Sequence, residues 1–344
     1  MINNTQVGKQ SVTFGTPTYI IEESSIAGKK EGEGPLGGYF DEVEEDEMCG
    51  GNTWEEAESR LQSRAISRLL KKAKLEPTDI RYLLGGDLLG QLIATSFGIE
   101  TFEIPLFGLY GACSTMGESM SLGSMLIAGG YADKVIAITS SHFASAEKQF
   151  RFPLGYGNQR PLAASWTVTG SGAVVLSKEK SDKKKGANVC VTGVTTGRIV
   201  DYGIKDSMNM GACMAPAAAD LIYNHLKDFN RRTDFYDKII TGDLGYVGQE
   251  ILIDILQEKG YNIEENHMDC GIEIFDTDNQ DTHAGGSGCG CSAITLTSFI
   301  LHKMRKEEWK KVLFVPTGAL LSTVSFNEGN TVPSIAHGVV LEVM

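Results

Sequence analysis

The chain has 344 residues and a formal net charge of −13, which is long enough for two ordinary domains or one large duplicated one. No stretch approaches the roughly 20 apolar residues that a membrane-spanning helix needs, and the first ten residues, MINNTQVGKQ, lack the apolar core of a signal peptide. We therefore expect a cytoplasmic protein without a transmembrane segment. The net acidic surface disfavours nucleic acid as a partner.

Seven cysteines are scattered along the chain, and their odd number and irregular spacing argue against a disulfide framework. Only Cys289 and Cys291 are close in sequence, and neither a second pair nor histidines stand at the spacing of zinc ligands. The acidic run DTDNQD at 276–281 lacks the glycine and the terminal glutamate of an EF-hand loop. We expect neither a bound metal ion nor an organic cofactor.

Residues 28–52 are rich in glycine and then strongly acidic. This composition is typical of a solvated surface loop, and it also allows a segment that approaches a partner or an ion. A helix from about Thr53 to Lys74 is predicted next, because Thr53 and Glu56 have the spacing of a capping box and apolar residues recur at helical spacing from Leu61 onward. The apolar run IRYLLGGDLL that follows predicts a buried strand.

A turn of small residues, GLYGACSTMGESM, places Cys113 directly before a predicted helix of about Met116 to Ile127. Because that helix is almost free of charge, we expect it at the centre of the molecule. A thiol at a helix N-terminus lies near free backbone N–H groups, which favour the thiolate. Cys113 is therefore either a reactive thiol or a buried structural cysteine.

Three segments recur in the same order in the second half. The strand end GDL occurs at 86–88 and at 242–244, where a predicted helix of about Pro216 to Phe229 precedes it, and the unit that begins at the Cys113 turn returns from 288 onward. Each half then closes with a similar apolar strand, at 170–176 and 337–343. Alternating strands and helices imply parallel pairing, and continuously apolar strands predict burial on both faces. The sequence thus predicts an α/β fold with two similar halves, 1–183 and 184–344, in which two mixed sheets enclose buried central helices.

The segment GACSTMGESMSLGSMLIAGG resembles the nucleophile turn and central helix of thiolases and β-ketoacyl synthases, which implies a thiolase-like, five-layer αβαβα fold. Longer segments, among them GPLGGYFD, TWEEAESR, IPLFGLYGACSTMGESM and SWTVTGSGAVVL, closely resemble the stage V sporulation protein AD family of endospore-forming bacteria. This second resemblance covers essentially the whole chain.

The family resemblance implies a protein that binds dipicolinic acid (pyridine-2,6-dicarboxylate), free or as its calcium chelate. It also implies that the protein works with the membrane proteins of the stage V sporulation A operon, which move dipicolinate into the forming spore and out again at germination. A homodimer through first-half strands and a peripheral position on the cytoplasmic side of the forespore inner membrane belong to the same expectation.

The residues that would assist Cys113 in acyl transfer are not at the positions where the related enzymes have them. Claisen-type chemistry needs a thiolate, a general base and donors for the developing oxyanion. Thiolases place a histidine in a GHPxG loop, and the corresponding stretch here, GSGCG at 286–290, has Ser287 at that position. Type III synthases place His and Asn just after the GDL-like strand, where this chain reads GDLGYVGQ. We therefore predict a binding protein that is not an enzyme. The alternatives are an acyl-CoA or acyl-carrier condensing enzyme that uses Cys113 and a structural scaffold docked on membrane partners.

A flat aromatic dicarboxylate needs cationic or N–H donors and an apolar or aromatic wall. The segment 142–167 offers both, and a helix start such as the one after Cys113 suits an anion. Of the six histidines, His142 and His283 are the ones expected near Cys113. The predicted ligand-binding residues are Cys113, Ser114, His142, Phe143, Arg151, Arg160, Trp166, Thr167 and Ser287, with Arg160 facing a ligand carboxylate.

Overall fold

The structure is a computed structural model that describes residues 5–150, 160–181 and 186–344. The strands are β1 (Thr5–Val7), β2 (Ser11–Gly28), β3 (Glu42–Glu44), β4 (Tyr82–Gly86), β5 (Leu106–Gly108), β6 (Lys134–Ser141), β7 (Trp166–Thr167), β8 (Gly170–Ser177), β9 (Val189–Thr196), β10 (Lys238–Thr241), β11 (His267–Asp269), β12 (Gly286–Ser287), β13 (Lys311–Val315), β14 (Thr317–Ala319) and β15 (Ser334–Val343). The helices are α1 (Lys29–Gly32), α2 (Trp54–Ala73), α3 (Ile93–Ile99), α4 (Thr115–Ala128), α5 (Phe143–Phe150), α6 (Met210–Asp228), α7 (Gly245–Glu258), α8 (Cys270–Glu273), α9 (Cys289–Thr295), α10 (Leu301–Arg305) and α11 (Thr323–Asn327).

Two five-stranded units with the same strand order form the sheet. The first unit has the order β5-β4-β6-β8-β2 and the second the order β11-β10-β13-β15-β9. With the five strands of each unit numbered along the chain, both read 3-2-4-5-1. In each unit the fifth strand is antiparallel to its neighbours. The division of the chain at 183/184 stays a prediction, because it falls within residues 182–185, which the structure does not describe.

The first strands of the two units also pair with each other. Residues 11–13 and 18–20 of β2 are antiparallel to β9, with a register shift between the two stretches. The two units are therefore continuous through their hydrogen bonds, and the long strand β2 belongs to both.

The two units of the sheet and the helices form five layers, and three clusters of buried apolar residues lie between them. Within β6, Val135 and Ala137 face the central layer, while Ile136 and Ile138 face the outer layer that α2 covers. In β13 the same alternation sends Phe314 to the central layer and other residues to the layer that α6 and α7 cover. Because neighbouring side chains of a strand point to opposite faces, strands that are buried on both faces must be apolar throughout. The predicted thiolase-like αβαβα fold is confirmed.

The central layer holds α4 and α9. Helix α4 contacts strands of both units, and α9 packs on β2, β6 and β8 of the first unit. The close approach of α9 to β8 requires a glycine in the strand. A Cβ atom at Gly172 of β8 would lie 2.5 Å from the backbone of Ala293 in α9. From α9 the chain continues through a π-helical stretch, Leu296–Ile300, into α10. No described helix combines the length and the apolar composition that crossing a bilayer requires.

The predicted boundaries of α2 agree with the structure, and the predicted start of α6 does not. The Thr53 hydroxyl caps α2 by accepting from the Glu56 N–H, and α2 ends at Ala73 as predicted within one residue. The prediction that α6 begins at Pro216 is wrong, because α6 starts six residues earlier, where the Asn209 side chain accepts from the Ala212 N–H. Pro216 therefore lies inside the helix rather than in its first turn.

The outer strand of the first unit, β5, leaves two apolar side chains in solvent. Leu106 is 39% and Phe107 46% exposed. An exposed strand at the edge of a sheet favours pairing with another chain. The homodimer through first-half strands stays a prediction, and we place its contact at β5. Phe107→Asp should convert the dimer into a monomer, because a carboxylate would have to enter an apolar contact.

Light scattering after size-exclusion chromatography at micromolar concentration measures this change. Val324→Asp, at a residue of the second half that is 67% exposed, is the matched control and should stay dimeric. A monomeric wild-type protein, or a Phe107→Asp variant that remains a dimer, contradicts the prediction.

Candidate ligand site at Cys113

A tight turn at the start of α4 holds Cys113. Ala112 has a left-handed backbone with φ of 50°, which is uncommon for a residue other than glycine. The Ser114 hydroxyl donates to the Gly111 carbonyl at 2.7 Å, and the Thr115 hydroxyl donates to the Ala112 carbonyl at 2.7 Å. The hydroxyl of Ser114 is thus used inside the turn and is fully buried, whereas Cys113 lines a cavity.

The cavity is narrow, with a volume of about 40 Å³. Besides the Cys113 thiol, its polar side chains are the hydroxyls of Thr167 and Ser287, so three of the predicted ligand-binding residues meet here. Histidine, lysine and arginine are absent from the lining as far as residues 5–150, 160–181 and 186–344 show. The apolar lining residues include Leu88, Ala146, Met210 and Leu321, two from each predicted half.

The surroundings of the Cys113 thiol raise its pKa, whereas a helix N-terminus would lower it. Burial, and next the carboxylate of Asp243, raise the pKa of Cys113 well above its usual range. A hydrogen bond from the Gly288 N–H acts in the opposite direction and is outweighed. The expectation that the N-terminus of α4 favours a thiolate is therefore wrong, because desolvation of a buried anion costs more than a helix terminus supplies.

Asp243 lies behind the cavity wall at the end of β10 and is 2% exposed. Its Oδ2 accepts a hydrogen bond from the Gly288 N–H at 2.8 Å and one from the Ser287 hydroxyl at 3.1 Å. Its Oδ1 has no hydrogen-bond partner among the described residues. Burial raises the pKa of Asp243 to about 7. Sequence reasoning missed this residue, although the repeated GDL motif marked its position.

The two histidines expected near Cys113 are engaged elsewhere. The ring of His142 stacks on Phe143 with centroids 5.0 Å apart, and its Nε2 lies 2.8 Å from the Glu47 carbonyl oxygen. Burial lowers the pKa of His142. His283 makes its ring contacts with the Pro161 carbonyl and the Asp281 carboxylate. Neither histidine lines the Cys113 cavity.

A second cavity, of about 260 Å³, holds the predicted aromatic residues. Trp166 and Thr167 are neighbours in β7 and point in opposite directions, so Thr167 faces Cys113 while Trp166 faces this second space. Phe143 stacks on Trp166 at 5.6 Å between centroids, and the Lys30 ammonium lies 4.1 Å from the centre of the Trp166 ring. The acidic residues around it are Glu31, Glu44, Asp46 and Glu47.

Arg160 belongs to the surroundings of Trp166 and not to the Cys113 cavity. Its guanidinium lies 4.9 Å from the Trp166 ring centre and donates to the Asp281 carboxylate at 3.0 Å. Arg151, the other predicted cation, lies outside the described residues. The predicted ligand contacts therefore form two groups, and the structure brings together Cys113, Thr167 and Ser287.

The acidic stretch at 41–47 is largely neutralised within the chain. Lys72 donates to Asp41 at 2.6 Å, and Arg64 pairs with both Glu42 and Glu44. These contacts hold the stretch on α2 and β2. Glu45 lies 3.8 Å from the Lys29 ammonium, so four of its acids have ion-pair partners in the chain itself.

A buried polar network lies behind the first-half wall of the cavity. Glu58 of α2 accepts hydrogen bonds from the hydroxyls of Ser140 at 2.8 Å and Ser145 at 2.6 Å. Asp87 accepts from the N–H and hydroxyl of Thr95 at 2.7 and 2.6 Å. Burial and the nearby Asp87 raise the pKa of Glu58 to about 8. The network fixes the residues next to Leu88 and Ala146, which line the cavity.

A cysteine on a left-handed turn before a buried helix, within two units of strand order 3-2-4-5-1, defines a protein of the thiolase-like class. Solved structures agree on the fold. The 3-oxoacyl-[acyl-carrier-protein] synthase III of Aquifex aeolicus VF5 has a TM-score of 0.54 at 13% identity and covers 94% of this chain and 99% of its own. The corresponding synthase of Pseudomonas aeruginosa PAO1 has a TM-score of 0.53 at 13% identity, over 95% of this chain and 98% of its own.

Sequence comparison narrows this class to one family. The family model for Stage V sporulation protein AD matches residues 8–342. The Stage V sporulation protein AD of Bacillus subtilis (strain 168) is 45% identical over 335 residues, which is 97% of each chain. The chain belongs to the Stage V sporulation protein AD family, as the resemblance of its motifs predicted.

Replacing Glu58 by Gln should reduce the loss of stability with rising pH. A folded-state pKa of about 8, above the usual 4.5, means that this group stabilises the fold fully below about pH 4.5 and that the contribution is lost as pH rises through 8. The wild-type free energy of unfolding should fall over this window by up to about 1.4 kcal/mol per pH unit for this one proton, and the fall should be smaller in Glu58→Gln.

Urea unfolding at several pH values from 5.5 to 8.5 tests this expectation. Glu56→Gln, at an exposed acid on the same helix whose pKa hydrogen bonds from Asn52 and Arg60 lower, is the control and should keep the wild-type slope in that range. Equal slopes for Glu58→Gln and wild type would show that Glu58 does not hold a proton in the folded state.

Proposed function

We propose that this protein binds dipicolinate in the Cys113 cavity and serves its uptake into the forming spore and its release at germination, without catalysing a reaction. Membership of the Stage V sporulation protein AD family supports a role in sporulation. In this proposal the chain works with the membrane proteins of the stage V sporulation A operon, as a peripheral protein on the cytoplasmic side of the forespore inner membrane.

The composition of the cavity wall is the observation that supports a binding protein rather than an enzyme. A protonated thiol and the hydroxyls of Thr167 and Ser287 lie among apolar side chains, with no histidine among the described lining residues. Acyl transfer needs a base beside the nucleophile, and its removal typically costs several orders of magnitude in rate. An apolar wall with a few polar groups is what an aromatic ligand needs.

The carboxylates of the ligand would be recognised by hydroxyl donors and, in this proposal, by Arg160. The Arg160 side chain is 6% exposed, while its partner Asp281 is 76% exposed. An exposed acid gains little from such a pair, so a ligand carboxylate can replace it at modest cost if the guanidinium turns toward the cavity. Arg151 remains a second candidate for the same role.

Isothermal titration with dipicolinate, with and without calcium, tests the proposed site. Cys113→Trp should abolish binding because the indole fills the cavity, and Cys113→Ala, which leaves the space open, is the matched control and should bind. Arg160→Ala should weaken binding by roughly 10- to 150-fold, since a hydrogen bond to a charged group contributes about 1.5–3 kcal/mol. Wild-type affinity in both Cys113→Trp and Arg160→Ala would place the site elsewhere.

The absence of turnover is tested separately with acyl-CoA substrates. We expect intact-mass spectra without an acyl adduct on Cys113 and no condensation product above background, because a neutral thiol is a poor nucleophile. An adduct together with product formation, both lost in Cys113→Ser, would make the protein an enzyme and overturn this part of the proposal.

A further inference from the structure

The second cavity, which we call the Trp166 cavity, shares no described lining residue with the Cys113 cavity. Its volume is about 260 Å³, and the stacked rings of Phe143 and Trp166 form its aromatic wall. The charged side chains along it are Lys29, Lys30, Glu31, Glu44, Asp46 and Glu47. The binding of dipicolinate proposed above uses none of these charges.

Three of the six charged side chains already have partners within the protein. The Lys29 ammonium lies 3.8 Å from the Glu45 carboxylate, and Glu44 pairs with Arg64. The Asp46 carboxylate accepts two hydrogen bonds from backbone N–H groups of its own turn, at 2.7 and 3.0 Å. The charges that remain for a ligand are therefore one ammonium group and two carboxyl groups.

Lys30 and Trp166 supply the positive side of the cavity. The Lys30 ammonium lies 4.1 Å from the centre of the Trp166 ring, and no carboxylate of the described ranges lies within ion-pair distance of it. Burial, and next the charge of Arg160, lower the pKa of Lys30. The Trp166 Nε1 is buried and has no hydrogen-bond acceptor in the same ranges. A carboxylate placed here would gain an ammonium group and an N–H donor.

Glu31 supplies the negative side. It is 1% exposed although it lines the cavity. Its Oε1 accepts a hydrogen bond from the Thr169 N–H at 2.9 Å, and no other described residue donates to its Oε2. A Cβ atom at Gly28 would lie 2.7 Å from Oε2, so only glycine leaves that space open. Burial raises the pKa of Glu31 to about 7, and a positive ligand group beside it would favour the ionised form. Glu47 adds an exposed carboxylate at the rim.

These groups suit a ligand that carries both charges. A cation alone would be repelled by Lys30, and an anion alone would be repelled by Glu31. The acids do not form a metal site, because no three His, Cys, Asp or Glu side chains in the described part of the chain are placed to hold a metal ion. The aromatic wall beside them provides a place for an apolar group.

We propose that the Trp166 cavity binds a free amino acid with an apolar side chain. The ligand carboxylate pairs with the Lys30 ammonium and accepts from the Trp166 N–H, the ligand ammonium pairs with Glu31, and the apolar side chain packs on Phe143 and Trp166. This site goes beyond the function proposed above and does not depend on dipicolinate binding.

Isothermal titration with matched probes tests the need for both charges. The probes are L-phenylalanine, 3-phenylpropanoate, which lacks the ammonium group, and phenethylamine, which lacks the carboxylate. L-norvaline, pentanoate and butylamine form the same set without a ring. At least one of the two amino acids should bind with a Kd below about 1 mM, and its two single-charge analogues should bind at least about tenfold more weakly. No binding of either amino acid at about 10 mM, or equal binding of a single-charge analogue, overturns the proposal.

Two variants assign the charges to their partners. Lys30→Gln should weaken the binding of the amino acid at least about tenfold and should not weaken that of the amine. Lys29→Gln, at the neighbouring lysine whose side chain is 53% exposed, is the matched control and should bind as wild type. Glu31→Gln keeps an acceptor for the Thr169 N–H and removes the charge, so it should weaken the amino acid and the amine but not the carboxylate.

Equal losses in Lys29→Gln and Lys30→Gln would mean that only the general charge of the surface matters, which contradicts the proposed site. If Glu31→Gln does not fold, the comparison of the two lysine variants decides. Cys113→Trp fills the other cavity and should leave amino acid binding unchanged, and loss of binding in that variant would move the ligand to the Cys113 cavity. Dipicolinate binding is judged by Cys113→Trp and amino acid binding by Lys30→Gln, so either proposal can fail while the other stands.

Discussion

Burial of two helices between the two five-stranded units of the sheet is the constraint on which the rest of the structure depends. Side chains of α4 and α9 pack in the apolar central layer, which holds mostly small, sulfur-containing, aliphatic and aromatic residues. Glu118 is the only residue of a charged type in α4, and burial raises the pKa of its carboxyl, which favours the neutral form. The glycines of the facing strands supply the missing space, as Gly172 does under Ala293. The nearly uncharged composition of the Cys113 helix follows directly from this position.

The same packing creates the site, because each central helix begins against strands of the other half. The Cys289 thiol at the start of α9 donates to the Ser140 carbonyl of β6 at 2.8 Å. At the start of α4, the turn around Cys113 packs on Gly318 of β14, where a Cβ atom would lie 2.1 Å from the Gly111 carbonyl oxygen. A cavity between these two helix starts is therefore lined by both halves, and neither half alone could form it.

The sequence predicted the layers and the family, and it predicted the site only in part. Periodicity and the repeated segments were sufficient for the fold, because they reflect burial on one or both faces. Grouping the polar residues of 142–167 failed for a geometric reason: Trp166 and Thr167 are adjacent in sequence but face different cavities. Asp243 was missed because its hydrogen-bond partners, the Ser287 hydroxyl and the Gly288 N–H, lie 44 and 45 positions later in the chain, and no local pattern records that proximity.

The pairing of β2 with both β8 and β9 has a consequence for how the chain reaches its fold. Ile26 pairs with Ser171 and Ser11 pairs with Thr195. Apart from its short pairings with β1 and β3, the first long strand therefore finds its partners only after much more of the chain has been made. At about 5–20 residues per second, synthesis of the intervening chain takes roughly 7–37 s. Closing such long loops slows folding, and a strand whose edges are still unpaired is prone to aggregate in the meantime. The N-terminal strand that joins the two halves is therefore also the part of the nascent chain that most needs protection by chaperones.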